Sequence, residues 1–159
     1  MKQLYINSAP CTACLNCMAA CAQGLAGQGG MSSAGIRVGD EPFTGAHQIV
    51  VCRQCYPDAQ CAAACPAEAI NWDGQYGVWR IDRVACSRCG ACVTACPFGA
   101  MFWRDDEFGP LKCELCDGVP RCVAACHFGV IQYGAAGDPE LSRQGIPAED
   151  LDPMLGRGA

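Results

Sequence analysis

Sixteen cysteines divide this 159-residue chain into four groups of four, with none left over. The groups are Cys11, Cys14, Cys17 and Cys21; Cys52, Cys55, Cys61 and Cys65; Cys86, Cys89, Cys92 and Cys96; and Cys113, Cys116, Cys122 and Cys126. The first and third share the spacing C-x2-C-x2-C-x3-C, the second and fourth C-x2-C-x5-C-x3-C, so a two-motif unit occurs twice. Such a cysteine content, about a tenth of the residues, is usual in small secreted disulfide scaffolds. Yet no apolar run of signal-peptide length precedes Cys11, and nothing later approaches the ~18 apolar residues of a membrane span. The expectation is a cytoplasmic chain without a membrane span, in which clustered cysteines are metal ligands or redox groups.

The spacing selects among metals. A cubane cluster needs four thiolates converging on one small core. A C-x2-C-x2-C loop supplies three of them, and the fourth cysteine, three residues on, serves the other cluster in two-cluster bacterial ferredoxins. Cys86-x2-Cys89-x2-Cys92-x3-Cys96-Pro97 matches that run in full, and Cys61-x3-Cys65-Pro66 closes the second group the same way. Zinc sites use separated C-x2-C pairs and have no need of the extra cysteines. Disulfides would require an oxidising compartment and would not explain fixed groups of four. Small residues beside the ligands, among them Ala13, Ala19, Ala62, Ala91 and Ala124, suit a core already filled by clusters. The metal bonds then couple directly to folding.

Other chemistries lack their residues. The net charge is −5, and the 11 Lys and Arg residues are scattered, so no basic stripe is present to follow phosphates; nucleic acid is not the expected partner. Gly24-x2-Gly27-x-Gly29-Gly30 follows no strand and lacks the dinucleotide spacing. No nucleophile stands with a base, so the chain is expected not to be an enzyme with its own substrate site. His47 and His127 are not needed as ligands once all four groups are complete. Trp72, Trp79, Phe98, Phe102, Trp103 and Phe128 are expected to pack over clusters. Arg53, Arg88 and Lys112 stand next to or near ligand cysteines, where they either tune cluster potentials or simply meet solvent.

Between the groups only short elements fit. Residues 35–38 and 48–51 predict one β-hairpin, bracketing 41–45. Residues 69–72 and 78–81 predict a second, turning at Asp73-Gly74, with further strands at 100–103 and 129–133. One-turn helices are expected at 18–22, 62–64, 93–95 and 123–125. The Gly- and Ser-rich stretch after Gln23 reads as a loop, and residues 134–159, with Pro139, Pro147 and Pro153, read as an extended arm that wraps the body or docks a partner.

Over residues 11 to 133 the four groups resemble the four-cluster, ferredoxin-like electron-transfer subunits of the dimethyl sulfoxide reductase iron–sulfur subunit type. The resemblance implies an α+β body, residues 1–133, of two fused bacterial-ferredoxin-like units related by a pseudo-two-fold axis, with short hairpins and one-turn helices. Pairing of the groups could be adjacent or nested. Only the second and third groups end in Cys-Pro, as both halves of a bacterial ferredoxin do, whereas the first and fourth end in Cys21-Ala22 and Cys126-His127. This favours nesting, and the resemblance implies the same. Unit A would join groups 11–21 and 113–126, and unit B groups 52–65 and 86–96. Four [4Fe–4S] clusters would then be held by Cys11, Cys14, Cys17 and Cys126; by Cys113, Cys116, Cys122 and Cys21; by Cys52, Cys55, Cys61 and Cys96; and by Cys86, Cys89, Cys92 and Cys65. The missing prolines leave open the conformation that follows Cys21 and Cys126.

The implied function is single-electron transfer between a large catalytic oxidoreductase subunit and an electron donor or acceptor. Short length and lack of an anchor point to a soluble tungsten-dependent aldehyde oxidoreductase as the partner. A hydrogenase, formate dehydrogenase or carbon monoxide dehydrogenase is the alternative. Self-association end to end is a further expectation. An iron–sulfur assembly or redox-sensing protein is the alternative of another class, and for a sensor the chain has no output domain.

Overall fold

Where four thiols must meet every few dozen residues, the chain between them has room mostly for short helices and short strand pairs. The structure, a computed structural model, describes residues 1–26, 30–40, 45, 47–105 and 107–147. Its strands are β1 (Lys2–Ile6), β2 (Ile36–Asp40), β3 (His47–Val51), β4 (Ile70–Asp73), β5 (Val78–Ile81), β6 (Phe102–Trp103), β7 (Pro110–Leu111), β8 (Ile131–Ala135) and β9 (Ile146–Pro147). The helices are α1 (Asn16–Ala26), α2 (Gln60–Ala63), α3 (Ala91–Ala95), α4 (Arg121–Ala124) and α5 (Pro139–Gln144). This is an α+β fold of short antiparallel pairs.

Both predicted hairpins form. β2 pairs with β3 from Ile36↔Val51 to Asp40↔His47, and β4 with β5 from Ile70↔Ile81 to Asp73↔Val78. Residues 41–44 of the first expected turn lie outside the described residues. In the second turn the Asp73 carboxylate accepts the Gln75 and Tyr76 N–H groups at 2.9 and 3.4 Å, the local bonding that makes aspartate a turn residue. The strand expected at 100–103 is reduced to β6, which pairs with β7.

Three elements depart from the sequence expectation. β1, in a segment for which no element is expected, pairs antiparallel with β8 from Lys2↔Ala135 to Ile6↔Ile131. α1 extends through 11 residues rather than one turn. Its Gly24 lies within the helix, against the Arg121 side chain of α4, and does not mark a loop. The expected extended arm is folded over its described part. Asp138 caps α5 by accepting the Glu140 and Leu141 N–H groups, Pro139 takes the first helical position, and β9 then pairs with the far side of β1. Residues 148–159 of the expected arm lie outside the described residues.

The helices pack in pairs, α1 on α4 and α2 on α3. Two cores result. One joins Leu4, Ile6, Met18, Ile36, Val51 and Ile131 with Cys17, Cys21, Cys113 and Cys122. The other joins Ile70, Ile81 and Met101 with Cys92, with Cys61, Cys65, Cys86 and Cys96 packed against it. Cys17, Cys21, Cys92, Cys113 and Cys122 are thus part of the cores themselves.

Candidate metal centres

The residue before the second cysteine is left-handed in all four groups: Ala13 (φ 50°), Gln54 (φ 52°), Arg88 (φ 58°) and Leu115 (φ 53°). That conformation costs a non-glycine residue about 1–2 kcal/mol, so four occurrences at one place mark a geometric demand. Left-handed residues of this kind turn successive N–H groups toward a common point, where they stabilise anionic sulfur. Two further N–H groups, outside these turns, donate directly to cysteine sulfur. The Gly35 N–H donates to Cys21 Sγ at 3.2 Å, and the Ala69 N–H to Cys65 Sγ at 3.4 Å.

Burial works in the opposite direction. It pushes the Cys17 thiol up to about 11 against the pull of the Met18 N–H, and neighbouring Cys126, Cys11 and Cys14 push it further. Burial likewise carries Cys61 to about 11 and Cys122 to about 12. Thiols so placed ionise once a metal cation supplies the missing positive charge.

The cysteines converge in sets drawn from different groups. Cys11, Cys14, Cys17 and Cys126 line one cavity, walled by Ala13, Ala125 and Ile131. Cys52, Cys55, Cys61 and Cys96 line another, walled by Ala59, Trp79, Phe98 and Lys112. After burial, the thiols acting on Cys122 are Cys21, Cys116 and then Cys17; on Cys113, Cys122 and then Cys52; and on Cys92, Cys86 and Cys65. Cys14 and Cys89 are exposed. Among the described residues no three His, Cys, Asp or Glu side chains stand close enough to hold one metal ion. A cubane needs its thiolates further apart, because each binds a different iron. The four-cysteine cavities fit that group.

Two neighbour pairs run between sets. Cys122 lies near Cys17, and Cys113 near Cys52. α2 carries Cys61 and leads directly to Cys65, linking the cavity of Cys52, Cys55, Cys61 and Cys96 to Cys86 and Cys92.

Other expected residues separate by role. His47 pairs with Asp40 across the hairpin at 2.8 Å. Phe128 lines the first cavity, and Trp79 and Phe98 line the second. Trp72 packs between Tyr56 and the edge of Trp79 and lines neither cavity, while Phe102 lies under Arg37. Arg88 is exposed, Arg53 lies over Phe98 at 3.7 Å, and Lys112 is buried at 1 % exposure. Two contributors carry no distinctive sequence signal. Gln54 clamps the second group to the fourth, its Nε2 donating to the Cys113 carbonyl at 2.8 Å while its Oε1 accepts the Trp79 N–H at 3.0 Å. Gly35 lets the Lys112–Cys113 peptide approach so closely that an added Cβ would lie 2.7 Å from the Lys112 carbonyl carbon.

Residues 51–100 and, overlapping them, residues 78–127 each match a 4Fe–4S dicluster domain. The chain is 34 % identical over 136 residues to the NADH-dependent phenylglyoxylate dehydrogenase subunit beta of Aromatoleum evansii, a match over 82 % of this chain and 29 % of that protein. It is 34 % identical over 124 residues to the polyferredoxin-like subunit of the aliphatic sulfonate oxidoreductase of Pyrococcus furiosus, covering 78 % of this chain and 70 % of the relative. The Escherichia coli O157:H7 hydrogenase-2 operon protein HybA is 33 % identical over 95 residues, covering 52 % of this chain and 29 % of HybA. The chain thus spans under a third of the first and last of these and most of the second. Its fold is like that in the active-site complex BamBC of benzoyl coenzyme A reductase with benzoyl-CoA, with a TM-score of 0.50 at 20 % identity, over 91 % of this chain and 87 % of that one. The dicluster matches span the second, third and fourth cysteine groups, and with the first group the sixteen cysteines give the chain four [4Fe–4S] clusters.

Proposed function

The chain belongs to the 4Fe–4S dicluster ferredoxin family, and on that premise we propose that it is the electron-transfer subunit of an oxidoreductase complex, conducting single electrons through four clusters in series. The ligand sets are Cys11, Cys14, Cys17 and Cys126; Cys21, Cys113, Cys116 and Cys122; Cys52, Cys55, Cys61 and Cys96; and Cys65, Cys86, Cys89 and Cys92, in that order along the path. The observation that carries this reading is the pair of cavities each lined by three cysteines of one group and the last cysteine of another. The exposed Cys14 and Cys89 belong to the two outer sets, so electrons enter near one and leave near the other.

The subunit has no substrate site of its own in this reading and works in the cytoplasm beside a large catalytic subunit. That partner is a tungsten-dependent oxidoreductase acting on aldehydes. Likeness to the polyferredoxin-like subunit of another oxidoreductase supports a small subunit of this kind. A hydrogenase is the second partner class, favoured by the likeness to HybA. Anaerobic purification of the native complex, followed by metal analysis of the co-eluting large subunit, separates the two: tungsten supports the first, nickel the second. Stopped-flow absorbance during turnover tests conduction itself. The clusters are expected to bleach and recover with substrate, and clusters that never change redox state would contradict an electron path in favour of an assembly or sensing role.

A further inference from the structure

Among the described residues, Lys112 is a buried cation without a carboxylate partner. It is 1 % exposed, and its Nζ donates only to neutral oxygens, the Cys113 carbonyl at 2.8 Å and Gln54 Oε1 at 3.3 Å. Among the described residues no carboxylate pairs with it. A buried charge left in this state is strongly disfavoured unless a counter-charge lies close by. Its surroundings supply one kind of anion, cysteine sulfur. Lys112 lines the cavity of Cys52, Cys55, Cys61 and Cys96, and its Nζ bonds the carbonyl of Cys113, a member of the adjoining proposed set.

We infer that the Lys112 ammonium is the resident counter-charge shared by the two central clusters, and that it raises the reduction potential of both. The inference rests on the proposed ligand sets. Reduction adds one electron, hence one negative charge, to a cluster without making or breaking a bond, and a fixed cation nearby favours the reduced form. The position is fixed from two sides. Gln54 is held by Trp79 and Cys113 while its Oε1 receives Nζ, and Gly35 permits the close seat of the Lys112–Cys113 peptide. Arg37, Arg53 and Arg83 also stand near ligand thiols. Each is only half-buried, so solvent and salt screen it more than they screen Lys112.

The test is an EPR-monitored dithionite titration of the full chain with its clusters, comparing wild type, Lys112→Met and Lys112→Arg. In Lys112→Met two of the four clusters should become harder to reduce by about tenfold in equilibrium constant, which is ~59 mV for a one-electron couple. The other two should stay in place, and Lys112→Arg should hold all four near wild type. Full iron content with all four potentials unmoved, or all four shifted alike, would overturn the inference. Wild-type iron well below about sixteen per chain would overturn the four-cluster reading itself, a separate failure. Should Lys112→Met lose its clusters, the decision passes to Lys2→Arg, which leaves Lys112 as the sole lysine. With 15N at the lysine side-chain nitrogen, pulsed EPR should find a 15N coupling on two cluster signals. Its absence would overturn the inference.

Discussion

Gly35 has no space for a methyl group. Its N–H reaches Cys21 Sγ, and a Cβ would meet the Lys112–Cys113 backbone at 2.7–2.8 Å, which cannot move aside as a side chain can. Gly35→Ala is expected to cost about 1–3 kcal/mol and lower the melting temperature, with iron lost from the set containing Cys21. Gly39→Ala, which meets nothing within 4 Å, is expected to change stability by about 0.5 kcal/mol or less; equal effects of the two would refute the steric account. Tyr5 is the most buried large side chain. Its hydroxyl donates to the Ala135 carbonyl at 2.7 Å and accepts the Asp138 N–H at 3.2 Å, tying β1 to the start of α5. Tyr5→Phe removes both bonds at little change of shape, and thermal unfolding should show a loss of about 1–3 kcal/mol.

Among the elements, the turn after the fourth cysteine shows how much a motif dictates. After Cys65, Cys96 and Cys126 the same reverse turn closes, with the N–H of Glu68, Gly99 and Gly129 donating to the cysteine carbonyl, and each of these residues is left-handed. Pro66 and Pro97 end the helix in two cases, whereas His127 reaches the same turn without a proline. After Cys21, with Ala22 free to donate, α1 simply continues to Ala26. Glu68 is the one non-glycine in this turn position. Glu68→Gly should relieve its backbone and raise stability by up to about 1 kcal/mol in denaturant unfolding, and a loss of stability would contradict this. In the β4–β5 turn, a hydrogen bond from Arg80 holds the half-buried Asp73 carboxyl below its ordinary value of 3.8. A carboxylate lowered in the fold adds stability above its unfolded pKa and loses it as pH falls through the folded one. The melting-temperature difference between wild type and Asp73→Asn should therefore shrink from about pH 6 to about pH 3; a constant difference would contradict the linkage. Both hairpins were legible because their strands are near neighbours with a turn signal between them. β1 was not, because its partner lies some 130 residues away and no local pattern announces such a pairing. α5 was obscured by Pro139, which marks a break in most contexts but here takes the first helical position.

At the scale of the molecule, β1, β8 and β9 bring residues far apart in sequence into one sheet, and the first cysteine group meets the fourth across a longer stretch of sequence than separates the second from the third. The sixteen candidate ligands were legible from spacing alone, since a cubane tolerates few arrangements. Lys112 stood out in the sequence only as a neighbour of Cys113; burial, which gives it meaning, depends on contacts with residues about 60 positions away. Nested wiring has a distinct signature. Cys126→Ser should alter the same EPR signal as Cys14→Ser, whereas adjacent pairing would make it match Cys89→Ser. The most direct measurement of the central claim is iron and acid-labile sulfide in the anaerobically purified chain. Four clusters predict about sixteen of each per chain, and a count of about eight or fewer, or zinc in place of iron, would contradict it.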